Sequence, residues 1–407
     1  MDDIEIPRYF LCPISLQIMK DPVTTVTGIT YDRESIEQWL VTSSPSENAV
    51  CPVTKQPLSR TADLTPNHML RRLIQAWCTT NAVDRIPTPK SPLHRSILLK
   101  LIRDLGRSDR EGFLHVNALK KLDELAGETK NHQVMAEAGV PKAVALFVLR
   151  CVKEGRISGL EEGLRVLQRT WAPTSENKRL LEDNLDFVKS MSWVLSSDLE
   201  NAVKTHAAVV LKNVLEVASL GLKERLELDF FRQMVKLLHG NTISQQGVRA
   251  VLHVLIKTCP SGRNRTKIVE AGAVLEVIEM ELCNPEKKTT ELIFCLLALL
   301  CSCADGRQQL LKHAGGIAVV GKRLLRVSAA ADDRALCIIE SIARFSATRE
   351  VVMEMLRVGA VSKLCMVLQA DCAAYLKKKA REILRLHSNS WSNSPCIQVY
   401  LLTRYTR

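Results

Sequence analysis

The sequence predicts a mainly α protein in two parts, a small α+β domain followed by an all-α solenoid. Three observations carry this reading. The first eighty residues alternate proline-containing loops, short β-branched runs and two amphipathic stripes. From Leu93 onward the chain reads as helix after helix, with one landmark returning at a nearly constant interval. The composition, 46% hydrophobic but only 4% aromatic with Gly 18, suits helices packed on aliphatic side chains.

In the first part, Cys12-Pro13-Ile14-Ser15-Leu16 is too short and too broken by Pro13 for a helix, so it reads as a loop carrying apolar side chains. Val23-Thr24-Thr25-Val26 and Ile29-Thr30-Tyr31, separated by Thr27-Gly28, predict a hairpin. Asp32 stands at an N-cap position, and Ile36, Trp39 and Leu40 repeat at helical spacing after it. A second loop, Cys51-Pro52-Val53-Thr54-Lys55-Gln56-Pro57-Leu58, has the style of the first. A closing helix is expected with Thr65 as N-cap and Pro66 at its first position, its stripe formed by Leu70, Leu73, Ile74 and Trp77.

This order resembles the U-box, the zinc-free relative of the RING domain in ubiquitin ligases. The matching fragments are Phe10-x-Cys12-Pro13-Ile14-Ser15, Met19-x-Asp21-Pro22-Val23, Gly28-x-Thr30-Tyr31-Asp32-Arg33, Ile36-x-x-Trp39, Cys51-Pro52-x-Thr54, and Pro66-Asn67-x-x-Leu70-Arg71-x-Leu73-Ile74-x-x-Trp77. A zinc RING needs paired Cys-x-x-Cys ligands, whereas residues 1–80 hold only Cys12, Cys51, Cys78 and His68, without such a pair. No metal or other cofactor is therefore expected, and packing and polar contacts must pin the loops. Asp21, Arg33, Glu34, Glu37 and Asn67 are the candidates for those contacts.

Residues 81–92, with Pro87-Thr88-Pro89-Lys90-Ser91-Pro92, read as a linker between the first domain, 1–80, and the array, 93–390; residues 391–407 form a tail. Thr88-Pro89 and Ser91-Pro92 are minimal sites for proline-directed phosphorylation. In the array the landmark is a glycine turn before an aliphatic residue, as in Ala138-Gly139-Val140, Ala271-Gly272-Ala273-Val274, Gly315-Gly316-Ile317 and Gly359-Ala360-Val361. With weaker copies at Leu185 and Leu228, the markers Val140, Leu185, Leu228, Val274, Ile317 and Val361 lie 45, 43, 46, 43 and 44 residues apart. That interval falls in the ~40–47 residues of armadillo and HEAT repeats. The glycine turn resembles the armadillo motif, giving about six repeats over roughly 93–388, each completing its neighbour's core.

Together the two resemblances are to plant U-box ubiquitin ligases with armadillo repeats. They imply that the U-box binds a ubiquitin-charged conjugating enzyme and that the array holds a protein target. By position in the motif, Ile14, Leu16, Trp39, Pro52, Lys55 and Leu58 are implied to contact the conjugating enzyme, Lys55 standing where many relatives carry arginine. No catalytic residue is implied: Cys12 lacks a His or cationic neighbour in the sequence and reads as a buried thiol. Stress or immune signalling and self-association are further expectations of the resemblance. The rival class is a non-enzymatic armadillo adaptor, against which the intact Ile14, Trp39 and Pro52 speak. An armadillo import receptor would repeat Trp-x-x-x-Asn, but Trp171 and Trp193 are followed four residues on by Ser175 and Ser197.

The net charge of +12 is uneven: residues 1–80 hold seven basic and nine acidic side chains, a balance of −2, leaving +14 for the rest. Arg263-Asn264-Arg265-Thr266-Lys267 and Lys377-Lys378-Lys379-Ala380-Arg381 could draw an acidic protein or a lipid surface, though charge runs are usually solvated helix faces. Aromatics are not interleaved with them, so nucleic acid is not expected. The longest apolar run, Leu292 to Cys301, is half the ~20 residues that span a bilayer, so any membrane contact would be peripheral. Thirteen cysteines scattered in apolar segments, and a start lacking signal-peptide layout, suggest a cytoplasmic protein with the nucleus also accessible.

Overall fold

The computed structural model describes residues 6–42, 50–58, 64–81, 93, 95–107, 113–171, 185–240 and 242–405. The chain divides into two compact units, residues 1–94 and 95–407. Thr88 and Ser91 lie outside the described residues.

In the first unit, β1 (Pro22–Thr24) and β2 (Thr30–Asp32) pair antiparallel with Val23 opposite Tyr31. Both of those side chains are buried, while the Thr24 and Thr30 hydroxyls meet at 2.9 Å. Gly28, at φ 78°, makes the turn where a Cβ would be strained. Helix α1 (Arg33–Thr42) buries Ile36 and Leu40. Asp32 precedes it as expected, but its carboxylate accepts the backbone N–H groups of Lys20 and Asp21 at 2.8 and 2.7 Å, pinning the end of the first loop.

The closing helix departs from expectation at its start. Thr65 and Pro66 form a third strand, β3, paired with Val23 and Thr24, giving the order β2-β1-β3. Helix α2 (His68–Thr80) is capped by Asn67, whose side chain accepts from the Leu70 N–H. Of its expected stripe, Ile74 is buried and Leu70 and Trp77 pack on the core, Trp77 edge to face with Phe10 at 5.8 Å. Leu73 is exposed, and Cys78 takes a buried place instead.

In the second unit each full repeat has a short helix, a middle helix and a long helix. In one repeat these are Gly262–Glu270, Ala273–Leu282 and Lys287–Leu300; in the next, Ala304–Lys312, Gly316–Arg323 and Ala329–Phe345. Middle helices stack on middle helices and long helices on long ones, from Val140–Lys153 through to Ala374–Leu386. Leu185 and Leu228 open the middle helices Leu185–Ser196 and Leu228–Leu238, as Val140 opens Val140–Lys153, which fixes the register of the weak copies. Glycine is needed where the turn is left-handed, at Gly139, Gly272 and Gly359 with φ of 82°, 86° and 77°, and at Gly316, where a Cβ would collide with the Leu310 carbonyl. Before Leu228 the chain arrives extended, with Glu227 at φ −85°, and any residue serves.

Many inter-repeat polar contacts run between side chains and backbone carbonyls. Asn131, Asn264 and Arg307 each reach back six residues, to the carbonyls of Leu125, Thr258 and Cys301, at 2.9, 3.3 and 3.1 Å. Those carbonyls belong to the ends of the preceding long helices, where four groups lack intrahelical partners. A buried ion pair, Glu281 with Arg323, joins two middle helices, and Arg323 also donates to Asn284 at 2.9 Å. The tail continues the array: Pro395–Tyr405 packs on the middle helix Ala360–Gln369, and buried Trp391 donates to the Val352 carbonyl at 3.2 Å.

Candidate functional site

The two proline-containing loops of the first unit are copies of one conformation. In the first, the Cys12 N–H donates to the Gln17 carbonyl at 2.8 Å and the Leu16 N–H to the Cys12 carbonyl at 2.8 Å. In the second, the Cys51 N–H donates to the Gln56 carbonyl at 2.8 Å and the Lys55 N–H to the Cys51 carbonyl at 3.0 Å. Each loop is closed by one antiparallel bridge, Leu11 with Ile18 and Val50 with Pro57. Leu16 and Lys55, four residues beyond the cysteines, hold the left-handed φ values of 55° and 61°.

Both cysteines are buried and serve as acceptors. The Cys12 sulfur receives the Asp32 N–H at 3.3 Å; burial pushes its thiol up, and hydrogen bonds from Asp32, Ser15 and Ile14 bring it below its ordinary value. The Cys51 sulfur is approached by the Tyr31 hydroxyl at 3.0 Å and by the Thr27 hydroxyl and Thr54 N–H at 3.4 Å. Around them Arg33 pairs with Asp21 at 2.7 Å, Arg71 reaches the same carboxylate at 3.8 Å, and Arg33 lies 3.8 Å from Glu37. Asp21, Arg33, Glu37 and Asn67 thus join the loops, strands and helices, and Glu34 is outside this set.

The surface carried by this frame is mixed. Leu16 is 74% exposed, Trp39 38% and Val53 50%, and Lys55 is exposed. The Trp39 indole N–H donates to the Val50 carbonyl at 3.0 Å, tying α1 to the second loop. Ile14 and Pro52 are half-buried, Ile14 resting on the core. Leu58 corrects the sequence reading: at 3% exposure it is a core residue, placed inward just past the Val50–Pro57 bridge, and cannot contact a partner. Val53, absent from the expected set, is exposed in the second loop, and the likeness of the two loops in sequence was the signal that could have found it. Among the described residues no group of three or more His, Cys, Asp or Glu could hold a metal ion. Chelator treatment is therefore expected to leave the activity of this domain unchanged, and stoichiometric zinc in residues 1–80 by elemental analysis would contradict the U-box resemblance.

The basic runs of the array are partly structural. Asn264 is buried and donates to the carbonyls of Lys223 and Thr258, Lys267 donates to Leu226, and Lys379 meets Asp333 at 2.9 Å. Among the described residues no helix is long and apolar enough to cross a membrane.

A small domain with two matched loops, in a chain whose second unit stacks three-helix repeats, has the features of a U-box protein with armadillo repeats. The U-box domain model matches residues 6–83, and the model of the plant U-box protein ARM repeat region matches residues 98–407. The chain is 43% identical to E3 ubiquitin-protein ligase PUB24 of Arabidopsis thaliana, covering 99% of this chain and 96% of that protein. It is also 43% identical to E3 ubiquitin-protein ligase PUB23 of the same plant, covering 99% and 98%. The crystal structure of an engineered protein is similar in fold, with a TM-score of 0.57 at 19% identity over 75% of this chain and 71% of that one. The chain belongs to the plant U-box/armadillo family of E3 ubiquitin ligases.

Proposed function

We propose that this ligase works as a scaffold. The U-box loops dock a conjugating enzyme charged with ubiquitin, the armadillo array holds the target protein, and a target lysine attacks the thioester directly. The observation that carries this is the pair of matched loops, which expose Leu16 on the first and Val53 and Lys55 on the second, the second loop being tied to Trp39 through Val50, with Ile14 and Pro52 seated between core and solvent. Cys12 and Cys51 are buried, which supports transfer without a ubiquitin intermediate on the ligase. Catalysis then comes from proximity, with effective concentrations of ~mM for tethered sites, and from orienting the thioester. Stress or immune signalling in the cytoplasm or nucleus, with self-association, is the setting we assign by family resemblance, and a fluorescent fusion followed during stress treatment tests it.

Deleting residues 93–407 tests the division of labour. The remaining domain is expected to keep self-modification and free-chain synthesis with a conjugating enzyme while losing modification of the native target. Undiminished target modification by the isolated domain would overturn the assignment of the array.

A further inference from the structure

Three polar groups lie within hydrogen-bond distance of the Cys51 sulfur. The Tyr31 hydroxyl lies 3.0 Å from the sulfur. The Thr27 hydroxyl donates to the sulfur at 3.4 Å and lies 2.8 Å from the Thr25 hydroxyl, which itself donates to the Ile29 carbonyl at 3.1 Å. The Thr54 N–H completes the set. Two donors of fixed direction, the Thr27 hydroxyl and the Thr54 N–H, and the Tyr31 hydroxyl thus converge on one fully buried sulfur. Hydrogen bonds to the charged form favour it.

We propose that Cys51 is a positioning residue of this ligase, acting as a buried thiolate that anchors the second loop and so orients Pro52, Val53 and Lys55 toward the conjugating enzyme. This rests on the docking role proposed above for that loop. Burial opposes ionisation, yet the Thr27, Thr54 and Tyr31 hydrogen bonds outweigh it and bring the thiol to about 6. Of the groups acting on the sulfur only Tyr31 titrates, and burial and the Cys51 bond raise it, so it stays a donor; Cys12 acts on Tyr31 in the same sense.

The test uses the full chain, a Cys51→Ser variant and, in case that variant folds poorly, the near-isosteric Tyr31→Phe. Thiolate absorbance near 240 nm, taken as the difference between the wild type and Cys51→Ser, is expected to show one thiol titrating near pH 6, and Tyr31→Phe is expected to move that midpoint upward. Affinity for an uncharged conjugating enzyme is then compared across pH. The wild type is expected to bind about tenfold tighter than Cys51→Ser at pH 7.5, a difference of ~1.4 kcal/mol. That ratio is expected to fall toward one at pH 5, as the sulfur is protonated. No thiol titrating below pH 8, or a ratio that does not change with pH, overturns the proposal. A thiol that titrates in a protein that binds no conjugating enzyme at any pH overturns the docking role instead, and the positioning role with it.

Discussion

Replacing Ile14 with alanine is expected to lower ubiquitin transfer at least tenfold while the U-box remains folded. Ile14 follows Cys12-Pro13 in the first loop and is half-buried, one side on the domain core and the other open to a partner. An apolar anchor at the centre of a small interface can carry ~2 kcal/mol or more of binding, over tenfold in affinity. The loop itself is held by the Cys12–Gln17 and Leu16–Cys12 backbone bonds and by the Asp32 carboxylate, none of which involves the Ile14 side chain. Its partial burial sets the folding cost at about 1 kcal/mol. Discharge of a charged conjugating enzyme onto free lysine, read beside a thermal melt, separates the two effects. Full discharge by the variant would remove Ile14 from the docking surface, and a collapsed melt would make it a core residue.

Replacing Arg323 with methionine is expected to destabilise the array by ~3–5 kcal/mol, because it strands a buried carboxylate. Glu281 is 2% exposed, and one of its oxygens has no hydrogen-bond partner even with Arg323 in place. Burial already raises its carboxyl against the opposing effect of Arg323 and Thr290, and losing the arginine raises it further. A folded carboxyl titrating above its unfolded value binds protons that the unfolded chain does not, so stability falls as pH rises through that window. Mild acidification should therefore restore part of the loss in Arg323→Met. Urea unfolding at two pH values measures both, and the double variant Glu281→Leu with Arg323→Met should recover much of the stability. A loss below ~1 kcal/mol would show that the pair is already relaxed by water. Since repeats are stabilised mainly by their neighbours, the damage should centre on the two repeats that the pair joins.

The features that the sequence declares are local ones. The hairpin follows from β-branched runs around Gly28, and the repeat interval from the recurring turn, because each needs only neighbouring residues. Strand β3 was hidden: Thr65-Pro66 looks like a helix start, and becomes a strand only because β1 offers an unpaired edge forty residues away. The capping role then passed to Asn67, which also bonds back to the Pro22 carbonyl. Leu73 is misplaced for a related reason, since spacing says which residues share a stripe but not which edge of the stripe meets the core, whereas Leu58 is placed by resemblance alone and turns inward just past the Val50–Pro57 bridge. The polar candidates of the U-box were legible as a set, yet their pairing depended on Asp21 lying within reach of both Arg33 and Arg71. In the array, Asn131, Asn264 and Arg307 share one structural role although the residue changes, so no motif marks it.

The left-handed backbone at Leu16 and Lys55 bears on how such a surface could be altered. Glycine adopts that conformation freely, whereas a residue with a Cβ loses ~1–2 kcal/mol there. A sequence tuned only for durability would place glycine at both corners. This one keeps a leucine and a lysine, both exposed, so the corners trade robustness for what their side chains present. Thermostabilised versions of the domain made by consensus or by glycine substitution would thus be drawn first to the two positions where gains in melting temperature would come at the expense of recognition.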